Sequence, residues 1–226
     1  MSLTDPPKII ACDTLRDEIR HVVDGNCDLE VELCEGLLHD YPDKLRATVQ
    51  ERIDETPGER TILLCYGRCS NGLTGLQARG HRLVLPAVDD CISLLLGSRE
   101  TYLRQFAEHP GTYYYTRGWI DYLEDTYQVY LKLIPKYGEE RARKLALMEL
   151  ANYTRLAIID TGTYPLAEYE PYVYKVGAFF DLPVEHLPGS LRLIEKLVAG
   201  PHDEEFFVVE PGETLDESRF WALPGI

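Results

Sequence analysis

Long apolar runs, positive charge, methionine and tryptophan are all scarce in this 226-residue chain. The most apolar stretch, residues 83–96, is interrupted by Asp89 and Asp90, so no segment reads as a membrane span. Residues 1–7 hold neither a basic region nor an apolar core, and no secretory signal is expected. Lysine and arginine number 23 against 38 acidic residues, a net charge of −15. A chain that negative repels phosphate backbones and anionic lipid surfaces, which excludes nucleic acid and membranes as expected partners. The common hydrolase and phosphate-loop signatures are missing as well.

What is present is an ordinary globular balance, 45% hydrophobic and 27% charged. Six cysteines are too few for a secreted disulfide scaffold, so reduced thiols and a cytoplasmic location are expected. Their positions are uneven: Cys12, Cys27, Cys34, Cys65, Cys69 and Cys91, with none beyond. The N-terminal part therefore carries whatever depends on thiols.

Short apolar runs at residues 8–12, 29–34, 61–66 and 82–87 read as strands. Helical patterns at 15–23, 42–55 and 89–97 follow three of them, with Asp13 or Thr14, and then Asp40, placed to cap the first two. Residues 67–75 form a glycine-bearing turn. This alternation predicts an α/β protein with parallel sheets and covering helices. The second part repeats the idea less regularly. Strands are expected at 112–115, 156–159 and 205–209, and helices at 120–136, 139–153, 166–180 and 191–198. A faint echo between residues 9–14 and 157–162 suggests two Rossmann-like halves, 1–110 and 111–226. The second half ends in an acidic arm, with seven acids and one base over residues 203–219.

In an open parallel sheet, ligands bind outside the carboxyl ends of the strands. Cys12 ends the first predicted strand, and His39 lies just beyond the second. Cys69 is in the turn after the third, and Cys91 opens the helix after the fourth. Three thiols and one imidazole at one edge suit tetrahedral zinc, with an iron–sulfur cluster as the alternative. Cys91, at a helix start, would have its thiolate favoured by the dipole. Cys27, Cys34 and Cys65 read as small core hydrophobes. Asp90 is the nearest candidate base, with Tyr66 and Asn71 as substrate contacts. Tyr113, Tyr114 and Tyr115 with Arg117 and Trp119 are candidates for lining a pocket around a planar ligand.

These residues together resemble an uncharacterised family, the domain of unknown function 1638. The resemblance rests on the strand ending in Cys12, the Leu38-His39 and Pro42 segment, Tyr66-Gly67-x-Cys69-x-Asn71, and Asp90-Cys91-Ile92 with Gly97-Ser98. It continues through Gly118-Trp119, Asn152-Tyr153, Asp160-Thr161-Gly162, Gly189-Ser190-Leu191 and Pro211-Gly212. It implies a prokaryotic protein set beside corrinoid-dependent methyltransferases, hence a place in one-carbon metabolism. The family motif falls on Cys12, His39, Cys69 and Cys91. The leading expectation is thus a cytoplasmic metal-binding protein acting on a small-molecule substrate, or serving a corrinoid-system protein, with zinc at the sheet edge. The alternatives are a non-catalytic accessory or binding protein and an iron–sulfur or dithiol redox protein. Whether it is an enzyme is left open at this point.

Overall fold

The strands sort by how continuous their apolar runs are. In the computed structural model, which describes residues 5–25, 29–69 and 71–221, β1 (Lys8–Cys12), β3 (Thr61–Cys65) and β4 (Arg82–Pro86) are almost wholly buried. β2 (Glu30–Cys34) alternates charged and apolar residues and takes the edge. The sheet runs β2-β1-β3-β4-β8, with β8 (Phe206–Val209) antiparallel and the others parallel. Both faces are covered, which is why the central strands read as unbroken apolar runs. Ile9, Ala11, Leu63 and Val84 face a core shared with Ile19 of α1 (Arg16–Val23) and with Leu193, Ile194 and Leu197 of α9 (Arg192–Ala199). Their neighbours Ile10, Ile62, Leu64 and Leu83 point the other way, onto Leu45, Val49 and Ile53 of α2 (Pro42–Asp54).

A second, fully parallel sheet has the order β5-β6-β7, from Thr112–Tyr115, Arg155–Asp160 and Val184–Pro188. Helices α6 (Thr126–Tyr137), α7 (Glu139–Glu149) and α8 (Glu170–Phe180) supply Tyr130, Ala142 and Val173 to its core. The α/β expectation with parallel sheets and covering helices therefore holds. The strands are not partitioned by chain halves, because β8 returns to the N-terminal sheet. The acidic arm packs on the body. Val209, Leu215 and Phe220 are buried in the first sheet's core, and Leu215 exchanges backbone hydrogen bonds with Gly75 and Leu76. Cys27 and Ser70 lie outside the described residues.

The predicted caps of the first two helices need correcting. A 3-10 turn over Asp13–Leu15 precedes α1, and Leu15 occupies its cap position without a side-chain hydrogen bond. Tyr41 holds that position for α2, and Asp40 instead pairs with His39 at 3.0 Å. The helix predicted over 120–136 is two, α5 (Arg117–Tyr122) and α6, separated where Asp125 caps α6 in a reciprocal box with Gln128. Between β4 and β5 lie α3 (Cys91–Leu95) and α4 (Arg99–Glu108).

One buried carboxyl joins α1 to the loop after β6. Glu18 is 2% exposed, and its Oε1 accepts from the Thr161 and Thr163 hydroxyls at 2.8 and 3.3 Å. Burial outweighs those bonds and raises its pKa above the ordinary 4.5. The folded chain therefore holds this proton more tightly than the unfolded chain, and the contribution falls away as pH rises through the folded value. Glu18→Gln keeps an acceptor and removes the charge. Urea unfolding of the two chains should show the variant gaining on the parent from about pH 4.5 upward. A constant difference across pH would contradict this.

Candidate functional site

Four segments converge beyond the carboxyl ends of β1 to β4 and enclose a cavity of about 240 Å³. Cys12, Cys65, Cys69 and Cys91 line it, together with His39, Asp90, Tyr66 and Trp119. The strand-end reasoning thus brings its four named ligands to one cavity. Parallel registry is the cause: Cys12 lies opposite Cys34 on one side, and Ala11 opposite Cys65 on the other. Gly67 lets the next loop close over Asp90, since a Cβ there would stand 2.5–2.7 Å from the Asp90 backbone. Cys69 and Asn71 then turn that loop with φ of 45° and 67°, left-handed values seldom taken by residues other than glycine.

Cys12, Cys69 and Cys91 keep some accessible surface, whereas Cys34 and Cys65 are buried. The apolar surroundings dominate the thiol chemistry. Burial pushes Cys12 up to about 11, although the Thr14 hydroxyl donates to its Sγ at 3.0 Å. Burial pushes Cys69 up to about 12, with the charges of Cys12 and Asp90 adding to it. Cys91 is raised by burial first and then by Asp90. This corrects the expectation of a dipole-favoured thiolate there, because α3 has only five residues and its first turn sits beside a carboxylate. All three thiols are protonated at neutral pH.

Asp90 caps α3, accepting from the Ser93 N–H at 3.2 Å, and the Tyr102 hydroxyl also donates to it. Burial raises its pKa above the ordinary carboxyl value. Tyr66 lines the cavity at 2% exposure, and its hydroxyl has no hydrogen-bond partner of good geometry. The His39 ring packs 5.8 Å from Trp119, but both its nitrogens are engaged. Nδ1 lies 2.8 Å from the Gly36 carbonyl and Nε2 3.0 Å from Asp40. Two predicted contacts stay outside. Arg117 pairs with Asp17 and Asp121, each at 3.2 Å, and Asn71 bonds Arg68 and Glu217; neither lines the cavity. Sequence reasoning missed Tyr102, whose only signal was its place on an amphipathic stretch just after Ser98.

The donor chemistry of three thiols and one imidazole suits zinc. Among the described residues, no group of three or more His, Cys, Asp or Glu side chains is arranged to hold a metal ion. No helix among them is long and apolar enough to cross a membrane. The family described as "Protein of unknown function (DUF1638)" matches residues 33–198. No curated protein and no solved structure matches the chain.

Proposed function

We propose that this chain, which belongs to the DUF1638 family, is a ligand-binding protein that takes a small thiophilic molecule in the cavity at the sheet edge. The observation that carries the reading is the meeting of three cysteines that are not fully buried, Cys12, Cys69 and Cys91, in one largely apolar cavity. Magnitudes favour binding over resting nucleophilic catalysis. A thiol near 11 or 12 is almost wholly protonated at pH 7, and an aspartate is far too weak a base to hold its proton. A ligand that forms a bond to sulfur supplies the missing compensation, and the protons leave as it binds. The one-carbon setting implied by the family resemblance stays within this proposal as the ligand's metabolic context.

Zinc is the second reading, favoured by the place of Cys12, Cys69, Cys91 and His39 around one cavity. It requires these side chains to regroup. Elemental analysis of protein purified without oxygen or chelator separates the two. One zinc per chain, lost in Cys69→Ser, would put the metal first.

The leading reading is tested with phenylarsine oxide, which condenses with two neighbouring thiols and releases water. Native mass spectrometry should show one adduct per chain, and none for the double variant Cys69→Ser with Cys91→Ser. Circular dichroism would confirm that the variant is folded. No adduct on the parent chain would overturn the proposal.

A further inference from the structure

A second cavity, of about 490 Å³, adjoins the thiol cavity and shares Asp90, Ile92 and Trp119 with it. These three residues make the shared wall, so a molecule in one cavity borders the other. The second cavity is aromatic in character. Tyr113 and Tyr114 of β5, Tyr102 and Phe106 of α4, and Tyr153 from the segment before β6 line it. Tyr102 and Phe106 stack at 30° with centroids 6.3 Å apart, but the rings around Tyr113 do not form a parallel slot. Tyr113 meets Trp119 at 89° with centroids 6.2 Å apart, and meets Tyr153 at 66° and 5.3 Å. A flat ligand needs parallel faces above and below it. Rings set at steep angles instead surround a compact, rounded group.

Apart from the His39 ring, the ionisable wall residues besides Cys and Tyr are carboxylates. Asp90 and Glu149 line the aromatic cavity and Asp90 and Glu35 the thiol cavity; among the described residues no lysine or arginine lines either, and Arg155, which donates to the lining Thr112, stands behind the wall. The chain as a whole carries −15, so the surrounding field attracts cations and repels anions. Aromatic faces and carboxylates around one space are the elements of organic-cation recognition. The ring quadrupoles attract a diffuse positive charge, and the apolar walls accept its alkyl groups. An inorganic cation would exchange most of its water for aromatic walls and only a few oxygens, chiefly those of Asp90 and Glu149. A phosphate or carboxylate would meet like charge.

We infer that the aromatic cavity binds a compact alkylammonium group, so that the ligand of the thiol cavity carries, or is accompanied by, an organic cation next to Asp90. This deepens the thiol-cavity proposal and rests on it for the identity of the adjoining site.

The test uses choline, its uncharged isostere 3,3-dimethylbutan-1-ol, and butyrate, each titrated into the full chain by calorimetry with tryptophan fluorescence in parallel. Choline should bind saturably and at least about tenfold more tightly than the isostere, with butyrate not binding. Tyr153→Phe should keep this preference, and Tyr153→Leu should weaken choline about tenfold while the phenylarsine oxide adduct persists. Equal affinity for choline and the isostere would overturn the inference, as would the absence of saturable choline binding. If the arsenical adduct forms in those cases, the aromatic reading alone falls. If it fails to form, the thiol reading falls with it.

Discussion

Gly118→Ala is expected to lower stability by about 3 kcal/mol and the melting temperature by roughly 10 °C. A Cβ at Gly118 would stand 1.8 Å from the Thr14 carbonyl oxygen and 2.5 Å from its carbon. These are backbone atoms, so no rotamer change relieves the clash. Either α5 or the 3-10 turn at Asp13–Leu15 must move. The consequence reaches the site, because Trp119 is the next residue on α5 and Thr14 bonds the Cys12 thiol. Gly80→Ala is the control, since nothing lies within 4 Å of a Cβ there and its backbone is not left-handed. Thermal melts followed by circular dichroism and by tryptophan emission give the comparison. Equal melting temperatures for the two variants would show that α5 does not pack as described.

The second large effect is chemical. At pH 8 a thiol near 11 holds about 100-fold less thiolate than one at the ordinary value of 9.0, and a thiol near 12 about 1000-fold less. Iodoacetamide reacts with the thiolate. Its rates at Cys12 and Cys69, read peptide by peptide, should climb about tenfold per pH unit from pH 7 to beyond 10 without levelling. Restricted access lowers such a curve but does not shift its plateau, so the shape reports the proton affinity. The sign follows from burial: the neutral thiol is the favoured form, and raising the pH removes its proton. A plateau below pH 9 at either residue would mean that an unrecognised positive charge stabilises the thiolate.

Much of the first sheet was legible because its central strands are buried on both faces. β1, β3 and β4 have no alternative to an apolar run, and the strand-end rule then placed Cys12, Cys69 and Cys91 together. Less regular elements left weaker traces. β7 reads Val-Glu-His-Leu-Pro and is largely exposed, so it shows neither apolar continuity nor a clear alternation. α4 buries no residue fully, and only Ser98, whose hydroxyl accepts from the Thr101 N–H at 3.0 Å, marked its start. Within the site, residue type was legible but side-chain direction was not. Arg117 at the start of α5 and Asn71 in the loop after β3 are polar residues close to the site in sequence. Asp17, Asp121, Arg68 and Glu217, distant or unremarkable in sequence, occupy them elsewhere. The dipole argument for Cys91 failed for a related reason, since the desolvation that opposes it appears only once the cavity is assembled.

The claim that three thiols share one ligand cavity is tested most directly by protection. The chain is alkylated at pH 9 with and without one equivalent of phenylarsine oxide, and each cysteine is quantified by mass spectrometry. The account predicts that at least two of Cys12, Cys69 and Cys91 lose labelling together, with buried Cys34 unchanged. Undiminished labelling of all three in the presence of the arsenical would contradict it.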